Sequence, residues 1–265
     1  MNFFSFDPLI GHSLHIDFQQ LHQWFVIALD YIGTLAFAIS GIRLASAKNF
    51  DLFGAYVMGL ATAIGGGTVR DIMLGQPIFW MRNGVVYFAI VAAALLLVWL
   101  FREHVVRRDN TWFLFDTVGL GMFTVIGIEK ALACGQPMWV AMMMGALTGA
   151  GGGVIRDVFL NEIPLIFRAE IYALACLIGG LAYWSGTQLA LSPVTCGFAC
   201  GTSVILTRIL AVRYNLHLPM LHSGEATPTS RHNPALTPAK DGTTLGEYGT
   251  ERRENDTLTA KNVHF

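Results

Sequence analysis

The sequence predicts an all-α integral membrane protein with seven transmembrane helices, arranged as two inverted three-helix repeats and a seventh helix. Three observations support this fold class. Only 13% of the 265 residues are charged and 54% are hydrophobic, whereas about 25% of the residues in a soluble domain are charged. Seven apolar segments are long enough, or nearly so, to cross a bilayer. In addition, one motif occurs twice within these segments.

The seven segments follow one another along the chain, and each holds about 20 mostly apolar residues, the length that spans the hydrocarbon layer. Residues 1–23 lack Lys and Arg, unlike a cleavable signal peptide, and we expect them to form an N-terminal extracytoplasmic segment. Residues 214–265 are rich in Ser, Thr, Pro, Gly and charge, which predicts a disordered cytoplasmic tail. The predicted spans are residues 24–44, 52–74, 84–102, 112–132, 138–160, 169–187 and 192–212.

The repeated motif contains three consecutive glycines followed by an Arg-Asp pair. Its first copy, residues 62–74, reads TAIGGGTVRDIML, and its second copy, residues 148–160, reads TGAGGGVIRDVFL. The Thr, the three Gly, the Arg, the Asp and the final Leu are identical, and the two copies are 86 residues apart. Glycines and charges used twice inside apolar sequence indicate a duplicated membrane protein with a polar pathway.

The repeat extends beyond this motif. At the same offset, Asp30 corresponds to Asp116, and similar sequence follows both. Each copy therefore spans three helices, residues 24–107 and residues 108–191, and residues 192–213 form an unpaired seventh helix. Because three is an odd number, the second copy must enter the membrane from the opposite side. This arrangement is the inverted repeat found in many transport proteins.

The distribution of Lys and Arg predicts the orientation in the membrane. The connections after segments one, three and five and the C-terminal side are basic, whereas the opposite face carries only Arg82 and Lys130. Cytoplasmic loops are enriched in Lys and Arg, so we expect the N-terminus outside and the C-terminus in the cytoplasm. The basic residues on the predicted cytoplasmic side are Arg43, Lys48, Arg102, Arg107, Arg108, Arg168, Arg208 and Arg213.

The glycine runs are expected to interrupt segments two and five. A glycine costs about 1 kcal/mol relative to alanine within a helix, and opened backbone would offer carbonyl oxygens to a cation. The same glycines are also compatible with close helix packing, and the threonine hydroxyls are also compatible with hydrogen bonds to carbonyls of their own helices. The predicted pore-lining residues are Thr62, Gly65, Gly66, Gly67, Thr68, Thr148, Gly151, Gly152 and Gly153.

The charged residues of the motif are expected to find partners on other helices. A charge at a helix centre costs about 2.5–3.5 kcal/mol on insertion scales, and adjacent helical residues do not face each other squarely. The topology brings Asp30 near Arg70 at the outer face and Asp116 near Arg156 at the inner face. These pairs either gate the pathway or only neutralise charge and hold helices together. The two predicted clusters are Asp30/Arg70/Asp71 and Asp116/Arg156/Asp157.

The sequence does not favour enzymatic, metal-binding or nucleic-acid-binding function. It contains no His-Glu-x-x-His, no Gly-x-Ser-x-Gly and no P-loop lysine. The histidines lie in the terminal regions and at His104 in a loop, so neither an intramembrane metal site nor a cofactor is expected. The formal net charge is −1, which gives no strong field to attract nucleic acid.

Two Gly-Gly-Gly-x-x-Arg-Asp motifs, on the second and fifth of seven helices, resemble the prokaryotic members of the trimeric intracellular cation (TRIC) channel family, also called the UPF0126 or glycine transporter family. The resemblance covers about residues 24–212. It implies a homotrimer in the plasma (inner) membrane of a prokaryote, with one pathway per protomer between kinked helices two and five and K⁺ as the principal permeant ion. The lysine-bearing lipid-binding motif of the animal relatives is not found.

Three functions are compatible with these observations. A monovalent cation channel would use the glycine carbonyls to replace ion hydration, with the Arg-Asp clusters as gates. A secondary transporter of glycine or another small zwitterion would pair Arg with a carboxylate and Asp with an ammonium group. A membrane scaffold would use the glycines and paired charges for packing alone. The first is the leading hypothesis.

Overall fold

The computed structural model describes residues 18–101, 111–168 and 171–216, which form helices joined by short connections. The predicted N-terminal segment up to residue 17 and the predicted tail from residue 217 lie outside the described residues. The helices are α1 (Phe18–Ala47), α2 (Leu52–Met73), α3 (Phe79–Arg82), α4 (Gly84–Leu100), α5 (Thr111–Ala133), α6 (Met138–Phe159), a 3₁₀ turn (Leu165–Phe167), α7 (Ala173–Gln188) and α8 (Pro193–Arg213).

Each of the seven predicted segments corresponds to one long helix in the described part of the chain. Five of these helices, α1, α2, α5, α6 and α8, are long and apolar enough to cross a membrane. Helix α4 is apolar but has 17 residues, and α7 has 16 residues. Because a span needs about 20 residues, length and composition alone identify five spans rather than seven.

The two motif helices, α2 and α6, end in the same way. Gly75 and Asn161 follow them with φ angles of 63° and 55°, in the left-handed region that terminates many helices. The next residue in each copy donates its backbone N–H to the carbonyl of the motif aspartate, at 2.9 Å in both. The repeated sequence therefore encodes its own helix stop as well as its charges.

Both glycine runs lie within uninterrupted α-helix, so the predicted interruption of segments two and five is wrong. The glycines bring α2 and α6 into direct backbone contact. A Cβ atom on Gly66 would lie 3.0 Å from the backbone nitrogen of Gly152 and closer still to the Thr148 carbonyl. Tertiary packing against a small surface therefore offsets the low helix propensity of the glycines.

Contacts between the two halves of the chain are reciprocal. Gly66 packs on Thr148, and Gly152, its counterpart 86 residues later, packs on the backbone of Thr62, the counterpart of Thr148. Phe37 stacks on its own counterpart Phe123, with ring centroids 5.2 Å apart. Reciprocal contacts are those that two copies of one unit make about a two-fold axis.

Helices α1 and α5 run in opposite directions where they meet. Gly33 lies against Met122, whereas Phe37, one turn further along α1, lies against Gly119, one turn earlier in α5. The carboxylates Asp30 and Asp116 therefore lie towards opposite ends of the bundle. Helix α8 follows both repeated halves in the sequence, and it packs on α5 and α7 of the second half through small residues such as Gly179.

The close approach of α2 and α6 predicts a strong effect of Gly66→Ala. The new methyl group would meet backbone atoms that cannot turn aside, so we expect the free energy of unfolding in mixed micelles to fall by about 2 kcal/mol or more. Gly201→Ala on α8 is the matched control, because its nearest non-local atom would be 3.6 Å away. Equal stability of the two variants would contradict this account of the helix contact.

Candidate functional site

The first charge cluster lies at the Asp30 end of the bundle and is centred on Asp71, which is fully buried. Its Oδ1 atom lies 2.8 Å from the Arg70 guanidinium and 2.8 Å from the Lys130 ammonium. Its Oδ2 atom accepts the backbone N–H of Phe79 at 2.9 Å. One carboxylate thus binds two cations and fixes the start of α3. We call Asp30, Arg70, Asp71, Tyr87 and Lys130 the Asp30 cluster.

Two expectations for this cluster are corrected by the structure. Arg70 and Asp71 were not expected to pair, yet the long arginine side chain folds back so that Nε also donates to Asp71 Oδ1 at 2.8 Å. Asp30 was expected to pair with Arg70, but its hydrogen bond comes from the Tyr87 hydroxyl, and Arg70 acts on the Asp30 carboxylate only through its charge. Tyr87 and Lys130 were not among the residues predicted for this cluster.

The second cluster, at the Asp116 end, surrounds Arg156, which is 0% exposed. Its NH1 atom donates to Asp116 Oδ1 at 2.5 Å and to Ser40 Oγ at 2.8 Å, and its Nε donates to Asp157 Oδ1 at 2.9 Å. The predicted contact of Asp116 with Arg156 is thus present. Tyr172 donates to the same Asp116 oxygen at 3.4 Å. We call Asp116, Arg156, Asp157, Tyr172 and Ser40 the Asp116 cluster.

Each motif aspartate also binds the turn that follows its helix. Asp157 Oδ2 accepts the backbone N–H of Leu165 at 3.1 Å, as Asp71 does that of Phe79. Both acceptors precede their donors by eight residues, so the duplicated geometry follows the duplicated sequence. A carboxylate that accepts a backbone N–H and binds a cation is held in one orientation, because both of its oxygens are engaged.

The predicted pore-lining threonines bond to their own helices. Thr62 donates to the Met58 carbonyl at 2.7 Å and Thr148 to that of Met144 at 2.5 Å, and both side chains are buried. Thr68 donates to the Ile64 carbonyl at 2.7 Å in the same way. In this conformation the three hydroxyls satisfy local backbone carbonyls, as threonines within helices commonly do.

The predicted pore-lining glycines are packed against side chains and backbone. Gly66, Gly67, Gly152 and Gly153 are buried, whereas Gly65 and Gly151 are half-buried. The ring of Phe79 covers Gly67, and the Tyr172 hydroxyl covers Gly153. Each glycine run is thus enclosed by the opposite motif helix and by an aromatic residue of its own half.

A cavity of about 290 Å³ opens beside the Asp116 cluster. Lys48, after α1, spans its edge and contacts the Glu162 carboxylate at 2.6 Å and the Leu160 carbonyl at 3.0 Å. Arg168 lies 3.6 Å from the same carboxylate. The hydrogen bond and charge of Lys48 lower the pKa of Glu162. Within the described residues, no group of three His, Cys, Asp or Glu side chains is placed to hold a metal ion.

Comparison with known proteins identifies the family. A family model described as glycine transporter matches residues 27–103 and 113–188, one match in each half of the chain. The chain belongs to this family. Among relatives, the UPF0126 inner membrane protein YadS of Escherichia coli K12 is 41% identical over 195 residues, covering 72% of this chain and 93% of that protein. A UPF0126 membrane protein of Vibrio cholerae is 40% identical over 194 residues, covering 72% and 80%.

Solved structures of the family agree with this assignment. The TRIC channel orthologue from Rhodobacter sphaeroides is 32% identical with a TM-score of 0.68, covering 72% of this chain and 98% of that one. A prokaryotic TRIC channel in 0.5 M KCl is 32% identical with a TM-score of 0.67, covering 74% and 100%. The resemblance inferred from the doubled motif is confirmed, and both of these solved relatives are described as TRIC channels.

The Asp71 geometry predicts a large effect of Asp71→Asn. The change leaves Arg70 and Lys130 without their shared carboxylate, and breaking a buried ion pair costs about 3–5 kcal/mol. We expect the variant to unfold at a markedly lower denaturant concentration in micelles. Asp51→Asn is the control, because Asp51 is exposed and caps α2, a role that Asn performs equally well. Similar losses for both variants would refute the role of Asp71.

The exposed Lys48–Glu162 contact predicts a small, pH-dependent effect. A carboxyl group with a lowered pKa stabilises the fold above its ordinary pKa, about 4.3, and loses this contribution as the pH falls through the lowered value. Near neutral pH, Glu162→Gln should therefore unfold at a slightly lower denaturant concentration than the native protein, and the difference between the two midpoints should become smaller as the pH is lowered. Salt at about 1 M should also reduce the difference between the midpoints, because it screens exposed charges. If the difference between the midpoints does not change with pH, the Lys48–Glu162 pair is not its cause.

Proposed function

We propose that the protein is a monovalent cation channel, with K⁺ as its main ion and one pore per protomer between α2 and α6. The observation that carries this proposal is the placement of two buried, ion-paired clusters towards opposite ends of the glycine contact between these helices. Intramembrane ionisable residues that face a bundle interior are typical of ion pathways. The likeness to TRIC cation channels that are 32% identical to this chain adds support.

In this proposal, all seven long helices cross the inner membrane of a bacterium, and the two halves are inverted repeats with the N-terminus outside. The reciprocal contacts of Gly66 and Gly152 and the opposite directions of α1 and α5 support the inversion. The description of the Escherichia coli relative as an inner membrane protein supports the location. The basic residues after α1, such as Lys48, support a cytoplasmic position for the Asp116 end.

The proposed mechanism requires α2 and α6 to separate. With the helices in contact, the glycine runs fill the space between them. When they part, positions without side chains would present backbone carbonyls, and Thr62 and Thr148 could turn their hydroxyls towards the ion. Exchange of partners within the clusters would free a carboxylate for the passing cation. The arginines and Lys130 would oppose cation entry if they were left unpaired, so the state of these ion pairs would gate the pathway.

We further propose a homotrimer. The relatives of known structure are described as trimeric channels, and a pathway within each protomer would leave the outer helix faces free to pack against neighbouring copies. Chemical cross-linking of the purified protein in detergent would give bands up to a trimer. A ladder that stops at a dimer would count against this assembly.

A second candidate is a carrier of glycine or a similar zwitterion, which the family description favours. Each cluster offers a guanidinium for a carboxylate and a carboxylate for an ammonium group. Inverted repeats suit alternating access as well as conduction. In a carrier, the ligand would replace the Arg156–Asp116 or Arg70–Asp71 contacts one end at a time.

Planar-bilayer recording of the purified protein under a K⁺ gradient separates these functions. A channel gives unitary currents, whereas a carrier gives saturable glycine counterflow in liposomes without unitary currents. We expect unitary currents.

The same recordings test the role of Asp30. We expect Asp30→Asn to reduce the single-channel conductance by about tenfold, because a carboxylate near a cation path lowers the local barrier to the cation. Folding is checked by gel filtration, and Asp51→Asn is the control. Native protein without currents would refute the channel, and a folded Asp30→Asn variant with native conductance would refute the role of Asp30.

A further inference from the structure

Arg208 is a buried cation that the repeat does not account for. It lies on α8, outside both repeated halves, and it is 0% exposed. Its guanidinium carbon lies 4.8 Å from the centroid of the Tyr172 ring and 4.9 Å from that of the Phe113 ring. Its NH1 atom donates to the Ile171 carbonyl at 3.2 Å. A planar guanidinium is attracted to the faces of such rings, so Arg208 holds the Tyr172 ring against α8.

Tyr172 connects Arg208 to the second charge cluster. It precedes α7 and has no side-chain capping contact there, so the packing around its ring determines where its hydroxyl lies. That hydroxyl donates to Asp116 Oδ1 at 3.4 Å and covers Gly153 of the second motif. The chain of contacts runs from α8 through one aromatic ring to both the carboxylate and the glycine run.

The Asp30 cluster has a different arrangement. Its tyrosine, Tyr87, lies within α4 and is supported by the edge of Phe79, with ring centroids 5.0 Å apart. Its second cation, Lys130, contacts the Asp71 carboxylate directly at 2.8 Å. At the Asp116 end the additional cation, Arg208, stacks on a tyrosine instead, and it comes from α8, which lies outside both repeated halves.

We propose that Arg208 is a positioning residue that keeps the Tyr172 hydroxyl on Asp116 and over Gly153 and thereby keeps α6 packed and the pathway closed. The proposal rests on the proposed channel function for its consequence in ion flow. Its structural part, the placement of Tyr172 by Arg208, is independent of conduction.

A double-mutant cycle in K⁺ efflux from liposomes tests the functional consequence. Arg208→Gln should raise efflux about fivefold, the order expected from losing one hydrogen bond that favours the closed state. Tyr172→Phe keeps the ring and should have a similar effect. Both changes interrupt the same connection. Adding Arg208→Gln to Tyr172→Phe should therefore not raise K⁺ efflux further, whereas adding Arg208→Gln to Tyr87→Phe should still raise K⁺ efflux about fivefold. A persistent effect in Tyr172→Phe would show that Arg208 acts through its own charge and would overturn the proposal.

Fluorine NMR of protein labelled with 3-fluorotyrosine tests the placement without reference to ion flow. The Tyr172 resonance is assigned by its absence in Tyr172→Phe, and it should shift in Arg208→Gln but not in Arg213→Gln, an exposed arginine on the same helix. Arg208→Lys keeps the charge without the planar stack and should also shift it. An unmoved resonance in folded Arg208 variants would overturn the proposal. If the native protein shows no K⁺ efflux, the channel function fails while this measurement still decides the placement.

Discussion

Burial of the motif arginines within an apolar bundle is the constraint on which the rest of the structure depends. Arg156 is fully enclosed, and it is tolerated because carboxylates from two helices, Asp116 and Asp157, neutralise it. Each motif aspartate can serve this purpose only in a fixed orientation, and a backbone N–H of the following turn supplies that restraint. The helix stop, the short turn and the charged pair are therefore parts of one repeated unit.

The glycine runs make this charge burial possible, because they let α2 and α6 approach until their backbones touch. Charged residues one turn beyond the glycines are then brought under cover of the opposite half, as shown by the contact of Arg156 with Ser40 of α1. Widening this helix contact would expose the charges as well as the glycine backbone. In the proposed channel, separation of the helices and rearrangement of the ion pairs would consequently be one event rather than two.

The sequence predicted the long helices, the duplication and the Asp116–Arg156 contact, because these follow from composition, period and offset. It failed where local rules were overridden. Glycine propensity predicted a break, but packing between α2 and α6 restored the helix. Tyr87 and Tyr172 were not predicted as site residues because they are 85 residues apart, whereas the repeat offset is 86. Lys130 was not predicted because the residue 86 positions before it is the apolar Leu44. Arg208 lies outside the repeat, so no symmetry argument could assign it.

The two ends of the bundle are built from one repeated unit, yet they differ in how firmly their charges are held. At the Asp30 end, the second cation is a flexible lysine whose side chain is 28% exposed, so water can replace the carboxylate as its partner. At the Asp116 end, the corresponding position is apolar, and a fully buried arginine from α8 stacks on the tyrosine instead. A pathway through both clusters would therefore meet one end that exchanges partners readily and one that must move an aromatic ring.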